Sequence, residues 1–273
     1  MSEPADGRWR EIAPAKVNLA LHVRGKLPDG RHAIETVFAF CVDGDRLSGE
    51  PAEGLTLSVA GPFAADVGRS ENNLVLRAAR ELAKEADVDC NASLLLGKNL
   101  PVAAGIGGGS ADAGAALRLL TSLWGVDPAH ASAVAPRLGA DVPACLLSMT
   151  CRGKAAGDQI QLIDDRKISG TPLLLVNPRV ALPTRDVFAQ WDGVDRGPLD
   201  DWRDGRNDLE APARALVRQI GDVLDWLEGQ EAELVRMSGS GATCFALFAD
   251  AEARDRAAAA VPGQWWHLAT TLR

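Results

Sequence analysis

Apolar and polar residues follow two periods along this chain, and the switches between them mark its elements. Val17, Leu19, Leu21 and Val23 alternate with Asn18, Ala20 and His22, which predicts a half-buried strand. Pro28-Asp29-Gly30 then signals a turn. Residues 55–59 alternate in the same way, while 92–96, 173–176 and 243–248 are apolar runs that read as further strands. Helical spacing takes over at 73–85, where Leu74, Ala78 and Leu82 share a face, and at 127–138, bounded by Pro128 and Gly139. Residues 209–227 read as one long helix and 251–260 as an alanine-rich one. The mixture predicts an α+β chain. The polar stretch 153–170 divides it into an N-terminal domain, 1–165, and a C-terminal domain, 166–273, with no internal repeat.

The densest chemistry lies at 100–120, LPVAAGIGGGSADAGAALRLL. Gly105, Gly107, Gly108 and Gly109 carry no Cβ, so the backbone is free to take positive φ and bring several N–H groups to one anion. Ser110 then reads as the cap of a helix whose apolar positions are Ala113, Ala116, Leu117 and Leu120 and whose positive end faces the glycines. Gly125 and Pro128 stop it. No lysine follows the glycines as a Walker A loop requires, and Ser110 stands where the Rossmann fingerprint needs glycine. Asp112 likewise replaces the last glycine of a hydrolase elbow. A phosphate cradle of another kind, or a bare turn before a core helix, are the two readings that remain.

Charge narrows the partners. A net charge of −8 argues against a nucleic-acid surface, which needs clustered Lys and Arg, so any substrate phosphate must be met locally. Cys41, Cys90, Cys145, Cys151 and Cys244 are scattered and never spaced C-x-x-C, which suggests neither a zinc site nor a disulfide framework and fits a reducing cytoplasm. The polar start MSEPADGRWRE lacks the design of a signal peptide, and no apolar run is long enough to span a bilayer.

Two further segments join the glycine loop: Ala15-Lys16-Val17-Asn18-Leu19 with Asp29-Gly30 and His32, and Ser238-Gly239-Ser240-Gly241-Ala242. In this order the three resemble the GHMP kinase superfamily, with its P-x-K-x-N-L strand, its P-x-x-x-G-[IL]-G-G-G-S loop beginning here at Pro101, and its G-x-G-A motif. Asn73-Leu74, Leu138-Gly139-Ala140-Asp141-Val142-Pro143 and Asn207-Asp208 extend the match over nearly the whole chain. Within the superfamily these elements are most similar to the kinases that act on 4-diphosphocytidyl-2-C-methyl-D-erythritol in the non-mevalonate isoprenoid route.

The resemblance implies two domains, the first similar to the second domain of ribosomal protein S5 and the second ferredoxin-like, and a cytoplasmic enzyme working as a monomer or homodimer. It implies ATP and Mg²⁺ as cofactors, with Pro101, Gly105, Gly107, Gly108, Gly109 and Ser110 around the phosphates and Asn73 and Lys98 near adenine. Ser110 would also reach Mg²⁺. Asp141 becomes the base for the substrate hydroxyl and Lys16 the cation that stabilises the migrating phosphoryl group. Asn18 and His32 would contact the cytidyl and erythritol portions, and Phe188 would stack on cytosine, Val187 being the alternative outward residue. The chain departs from the pattern at Arg31, where the family carries tyrosine, and at Ala155, in place of glycine. A guanidinium also stacks on a base, so Arg31 is expected to line the site. Homoserine or mevalonate, the substrates of related kinases, have no nucleobase to hold, and a non-catalytic nucleotide-binding protein would not need both Lys16 and Asp141.

Overall fold

A computed structural model describes residues 6–67, 72–164 and 166–273. Residues 1–5 of the polar start, and residue 165 at the expected boundary, lie outside them. In chain order the elements begin with β1 (Trp9–Lys26), β2 (His32–Glu50), β3 (Leu55–Ala60), α1 (Ala64–Val67), α2 (Leu74–Ala86) and β4 (Ala92–Gly97). Next come α3 (Gly108–Trp124), α4 (Pro128–Leu138), α5 (Val142–Leu147), β5 (Cys151–Lys154), β6 (Gln159–Leu162) and β7 (Pro172–Asn177). The chain closes with α6 (Thr184–Ala189), α7 (Glu210–Leu216), α8 (Gln219–Glu228), β8 (Leu234–Met237), β9 (Cys244–Leu247), α9 (Ala251–Ala259) and β10 (Trp266–Thr271).

These elements form two compact units that interleave in sequence. The first comprises Met1–Ala15, Asp43–Val102 and Gly107–Ser148, and the second Lys16–Val42, Ala103–Ile106 and Met149–Arg273. Neither coincides with 1–165 or 166–273, because β1 and β2 each contribute to both.

In the first unit Arg46–Glu50 of β2 pairs antiparallel with β4, and β4 pairs in parallel with β3. Helices α2, α3, α4 and α5 pack together beside them. The α2 boundary follows its predicted signal: Asn73 caps the helix, its side chain accepting the Val75 N–H at 2.8 Å, and Val75, Ala78, Ala79, Leu82 and Ala83 are buried. Asp127 caps α4 in the same way, ahead of Pro128 at the first position. A Cβ on Gly114 of α3 would lie 2.7 Å from the Cys145 backbone, so glycine there lets α5 approach. That short helix was unread in the sequence, where Asp141 was expected on a loop; Asp141 is its N-cap residue.

In the second unit Thr36–Phe38 of β2 pairs with β5, and β5 turns back onto β6. The polar stretch after Gly153 is therefore partly a hairpin rather than a linker alone. A second sheet runs β10-β7-β9-β8, antiparallel throughout. Its core gathers Val23, Leu174, Val176, Val187, Leu209, Ile220, Val223, Leu224, Phe248 and their neighbours. The expected long helix at 209–227 is two helices, α7 and α8, broken at Val217, which adopts an extended conformation (φ −134°, ψ 94°). The break buries Val217 and re-phases the chain so that Ile220, Val223, Leu224 and Leu227 face the core.

The β1 strand is buried on both faces from Ala13 to Val23, not half-buried as its alternation suggests. Lys16, Asn18 and His22 are only 3%, 2% and 3% exposed, so each must find polar partners inside the protein.

Candidate active site

The chain leaves β4 at Lys98 and enters α3 through the glycine loop. Positive φ, open to all four loop glycines, is used by Gly105 (+75°) and Gly107 (+67°) only. A Cβ on Gly105 would sit 2.4 Å from the Gly241 carbonyl oxygen and 2.7 Å from that of Ser238, so the turn closes only around hydrogen. Gly108 and Gly109 are already helical. At Gly108 the constraint is a neighbour: a Cβ would meet the Lys98 ammonium at 3.1 Å. The N-cap of α3 is Gly107 rather than Ser110, and it makes no side-chain capping bond. The first-turn N–H groups of α3 are thereby left to an external acceptor, which is the arrangement that binds phosphate.

Beneath this turn lies a buried ionic cluster. Lys98 Nζ donates to Asp45 Oδ2 at 2.5 Å and to Asp112 Oδ2 at 2.8 Å. Asp45 Oδ1 also accepts the N–H groups of Asn99 and Leu100, at 2.5 and 2.8 Å. Burial pushes the Lys98 ammonium down, but the two carboxylates outweigh it and its pKa is raised. Burial likewise pushes Asp112 up to about 7, against the pull of Lys98. Asp112 Oδ1 has no hydrogen-bond partner among the described residues, which suits a carboxyl that keeps its proton near neutrality. Asn73, Leu74, Lys98, Val102, Gly109 and Asp112 line a cavity of about 140 Å³, so the residues expected around adenine share one space. Pro101 is buried at the start of the loop, and Ser110 is half-buried in the first turn of α3.

In the second unit the polar residues of β1 form a chain of contacts. Lys16 Nζ donates to Asn18 Oδ1 at 2.7 Å and lies 5.1 Å from the centroid of the Phe38 ring. Asn18 Nδ2 donates to Thr36 Oγ1 at 2.8 Å, and that hydroxyl donates in turn to the Ala20 carbonyl at 2.6 Å. The Asn18 N–H donates to Ser238 Oγ at 3.1 Å, and Ser238 Oγ–H to the Gly105 carbonyl at 3.0 Å. Asn18, expected to touch substrate, uses its amide oxygen to hold Lys16 and one amide N–H on Thr36. The C-terminal glycine motif and the central loop meet through Ser238 and Gly105, and the Lys16 N–H is tied to the Ile106 carbonyl at 3.0 Å. Ser238 is the residue that joins three motifs far apart in sequence.

Elsewhere in that unit three rings gather. The His32 imidazole stacks on Phe188 with centroids 4.6 Å apart and planes at 26°, and Trp191 meets His32 edge-on at 5.6 Å and 87°. Val187 is fully buried in the core while Phe188 is half-buried, so Phe188 is the outward residue. Burial, then the charge of Lys26, lowers the pKa of His32 and keeps its ring neutral. Arg31 stands outside this cluster. Its Nε donates to Asp29 at 2.8 Å and its Nη1 to Asp158 at 3.1 Å.

The sequence assigns no role to Thr36, Asp45 or Trp191, places Ser238 in a motif without a partner for it, and uses Asp112 only to reject a hydrolase elbow. Among the described residues no three His, Cys, Asp or Glu side chains cluster to hold a metal ion.

Two profile matches cover much of the chain: the GHMP kinases N terminal domain at residues 73–149 and the GHMP kinases C terminal region at 194–267. The 4-diphosphocytidyl-2-C-methyl-D-erythritol kinase of Rhizorhabdus wittichii is 53% identical, over 96% of this chain and 94% of that protein. The kinase of the same name from Novosphingobium aromaticivorans is 49% identical, over 99% and 96% respectively. Among solved structures, a crystal structure of 4-(cytidine 5'-diphospho)-2C-methyl-D-erythritol kinase superposes with a TM-score of 0.82 at 32% identity, over 96% of this chain and 98% of that one.

Proposed function

This chain belongs to the 4-diphosphocytidyl-2-C-methyl-D-erythritol kinase family of the GHMP kinases, with their two-domain α+β fold, and we propose that it performs the reaction of that family. The γ-phosphoryl group of ATP passes to the tertiary 2-hydroxyl of 4-diphosphocytidyl-2-C-methyl-D-erythritol. As the new O–P bond forms and the bond to the ADP oxygen breaks, the hydroxyl proton goes to the Asp141 carboxylate. Lys16, aimed by Asn18, stabilises the charge on the migrating group. The N–H groups of Gly107–Ser110 in the loop that begins at Pro101, with the first turn of α3, hold the nucleotide phosphates, and Asn73 and Lys98 border the adenine. His32 and Phe188 hold the cytosine.

With no three-residue metal cage among the described side chains, Mg²⁺ fits here as an ion carried by the nucleotide phosphates, with the Ser110 hydroxyl as its protein donor. Bound there, it neutralises phosphate charge. Five unbridged thiols suit work in the cytoplasm.

The observation that carries the choice of substrate is the His32–Phe188 stack, an aromatic contact that homoserine or mevalonate would have no ring to use. Assaying the purified enzyme with ATP against the cytidyl compound, homoserine and mevalonate tests the reading. Turnover of the cytidyl compound alone is expected, and comparable turnover of either smaller alcohol overturns it.

A further inference from the structure

Asn207-Asp208 is a motif to which the proposed chemistry gives no task. The dipeptide lies just before α7 and reaches in two directions. Toward β1 the backbone pairs as a short parallel bridge: the Leu21 N–H donates to the Arg206 carbonyl at 2.8 Å, and the Asp208 N–H to the Leu21 carbonyl at 2.9 Å. The Asp208 carboxylate also accepts the Val23 N–H at 2.8 Å and Arg206 Nε at 2.6 Å. Toward the C-terminal glycine motif, Asn207 Nδ2 donates to the carbonyls of Met237 and Gly239, at 2.7 and 2.8 Å, while its Oδ1 accepts the Leu209 N–H at 3.0 Å.

Both N–H groups and the oxygen of this buried amide are therefore engaged, which fixes its orientation. The two carbonyls it holds flank Ser238, whose Oγ accepts the Asn18 N–H and whose hydroxyl donates to the Gly105 carbonyl. The turn also presses close to its neighbours. A Cβ on Gly239, where φ is +56°, would lie 3.1 Å from both Asn18 Oδ1 and the Gly105 carbonyl oxygen. That Asn18 oxygen is the acceptor of Lys16 Nζ, so a displacement of the turn reaches Lys16 through one intervening residue. An amide suits this place because it supplies two donors and one acceptor from a short side chain, whereas serine has a single donor and an aspartate would turn a charge toward two carbonyls.

We propose that Asn207 is a positioning residue for the phosphoryl transfer: it holds the turn around Ser238, Ser238 fixes Asn18, and Asn18 aims Lys16 at the migrating group. The inference rests on the reading of Lys16 as the cation of that reaction. Asp208 supplies the other half of the geometry. With β1 gripped at Leu21 and Val23 and the turn gripped at Met237 and Gly239, one dipeptide sets the spacing between the strand that carries Lys16 and the turn that braces it. Asn207 needs no contact with either substrate for this, so it acts on turnover rather than on affinity.

Asn207→Ser and Ser238→Ala, alone and combined, test this on the purified enzyme with ATP and the cytidyl substrate, each variant assayed well below its melting temperature and turnover counted per folded molecule. Each single change is expected to lower kcat about 10- to 100-fold, the cost of slightly misplacing a catalytic group, with both KM values within about twofold of wild type. Because the two residues act in series, the double variant should be no slower than the slower single one. Wild-type kcat in either single variant overturns the inference, as does a change confined to KM or a double variant whose loss is the product of the two. If Asn207→Ser does not fold, Asn207→Asp, which keeps the shape and the Leu209 bond but loses both donors, is read in the same way. Lys16→Ala, run in parallel, separates the two levels. If it turns over like wild type, the reading of Lys16 is wrong and the inference falls with it; if it is slow while Asn207→Ser and Ser238→Ala match wild type, only the role of Asn207 is overturned.

Discussion

The ionic cluster at the glycine loop and the aromatic cluster at His32 are built on opposite principles. Below the glycine loop, Lys98, Asp45 and Asp112 form an ionic cluster whose three side chains are 6% exposed or less. In the aromatic cluster, His32, Phe188 and Trp191 are half-buried and held by ring contacts and packing. A buried charge cluster admits one arrangement, because separating its members leaves an uncompensated charge in a low-dielectric interior. A stack of neutral rings exchanges one partner for another at little cost. On the proposed function, the difference means that the phosphate cradle is set before ATP arrives, whereas the ring cluster has to adjust its contacts to admit a base.

The hardest test of that contrast is Lys98→Met, which leaves two buried carboxyls facing each other. A loss of about 3–5 kcal/mol of stability is expected, read from urea unfolding. A variant as stable as wild type would show that the cluster does not lock the loop. The chemistry should separate from stability at Asp141→Asn, for which turnover is expected to fall at least ~10²-fold with ATP affinity nearly unchanged. Single-turnover kinetics beside nucleotide titration checks it, and near-normal turnover removes Asp141 from the mechanism. At the other end, Phe188→Ala should raise the KM for the cytidyl substrate about 5- to 150-fold, the scale of base stacking. Melting should move little, since the side chain is half-buried.

The electrostatics of the cluster can be followed with pH. A carboxyl held near 7 in the fold, against 3.8 ordinarily, binds its proton more tightly when folded. The contribution of Asp112 to stability is therefore fully present below about pH 4 and is lost as pH rises to about 7. Asp112→Asn should lack that downward slope in its own unfolding profile, so that the slope appears in the difference between the two proteins, and an identical slope in both would assign it elsewhere. The smallest effect is expected at Arg31→Ala, where an exposed guanidinium leaves Asp29 and Asp158. The KM for the cytidyl substrate should change less than about twofold. A large rise would return Arg31 to the base slot.

What could be read from the chain alone was local. Asn73 and Asp127 announced α2 and α4 because a cap is a bond between residues two apart, and the glycine loop announced an anion site because its conformational freedom lies in the residues themselves. Lys16, Asp141, His32 and Phe188 were named from motifs that lie far apart in the sequence, without any account of what holds them. That account is tertiary. Asn18 is expected to contact substrate, and only the fold adds that Thr36 and Ser238 hold its amide and backbone. Asp112 reads as a helix residue until Asp45, from a strand far earlier in the chain, shares Lys98 with it. Arg31 is expected as a base wall, and only the fold adds that Asp29 and Asp158 hold its guanidinium; Trp191 carries no signal at all until His32 is found against its ring. The sequence by itself determined where chain direction changes and which side chains carry chemistry, since propensity and capping act over a few residues. Partnership was decided only by the fold, because hydrogen bonds, ion pairs and ring contacts depend on distances that exist once remote segments have been packed together.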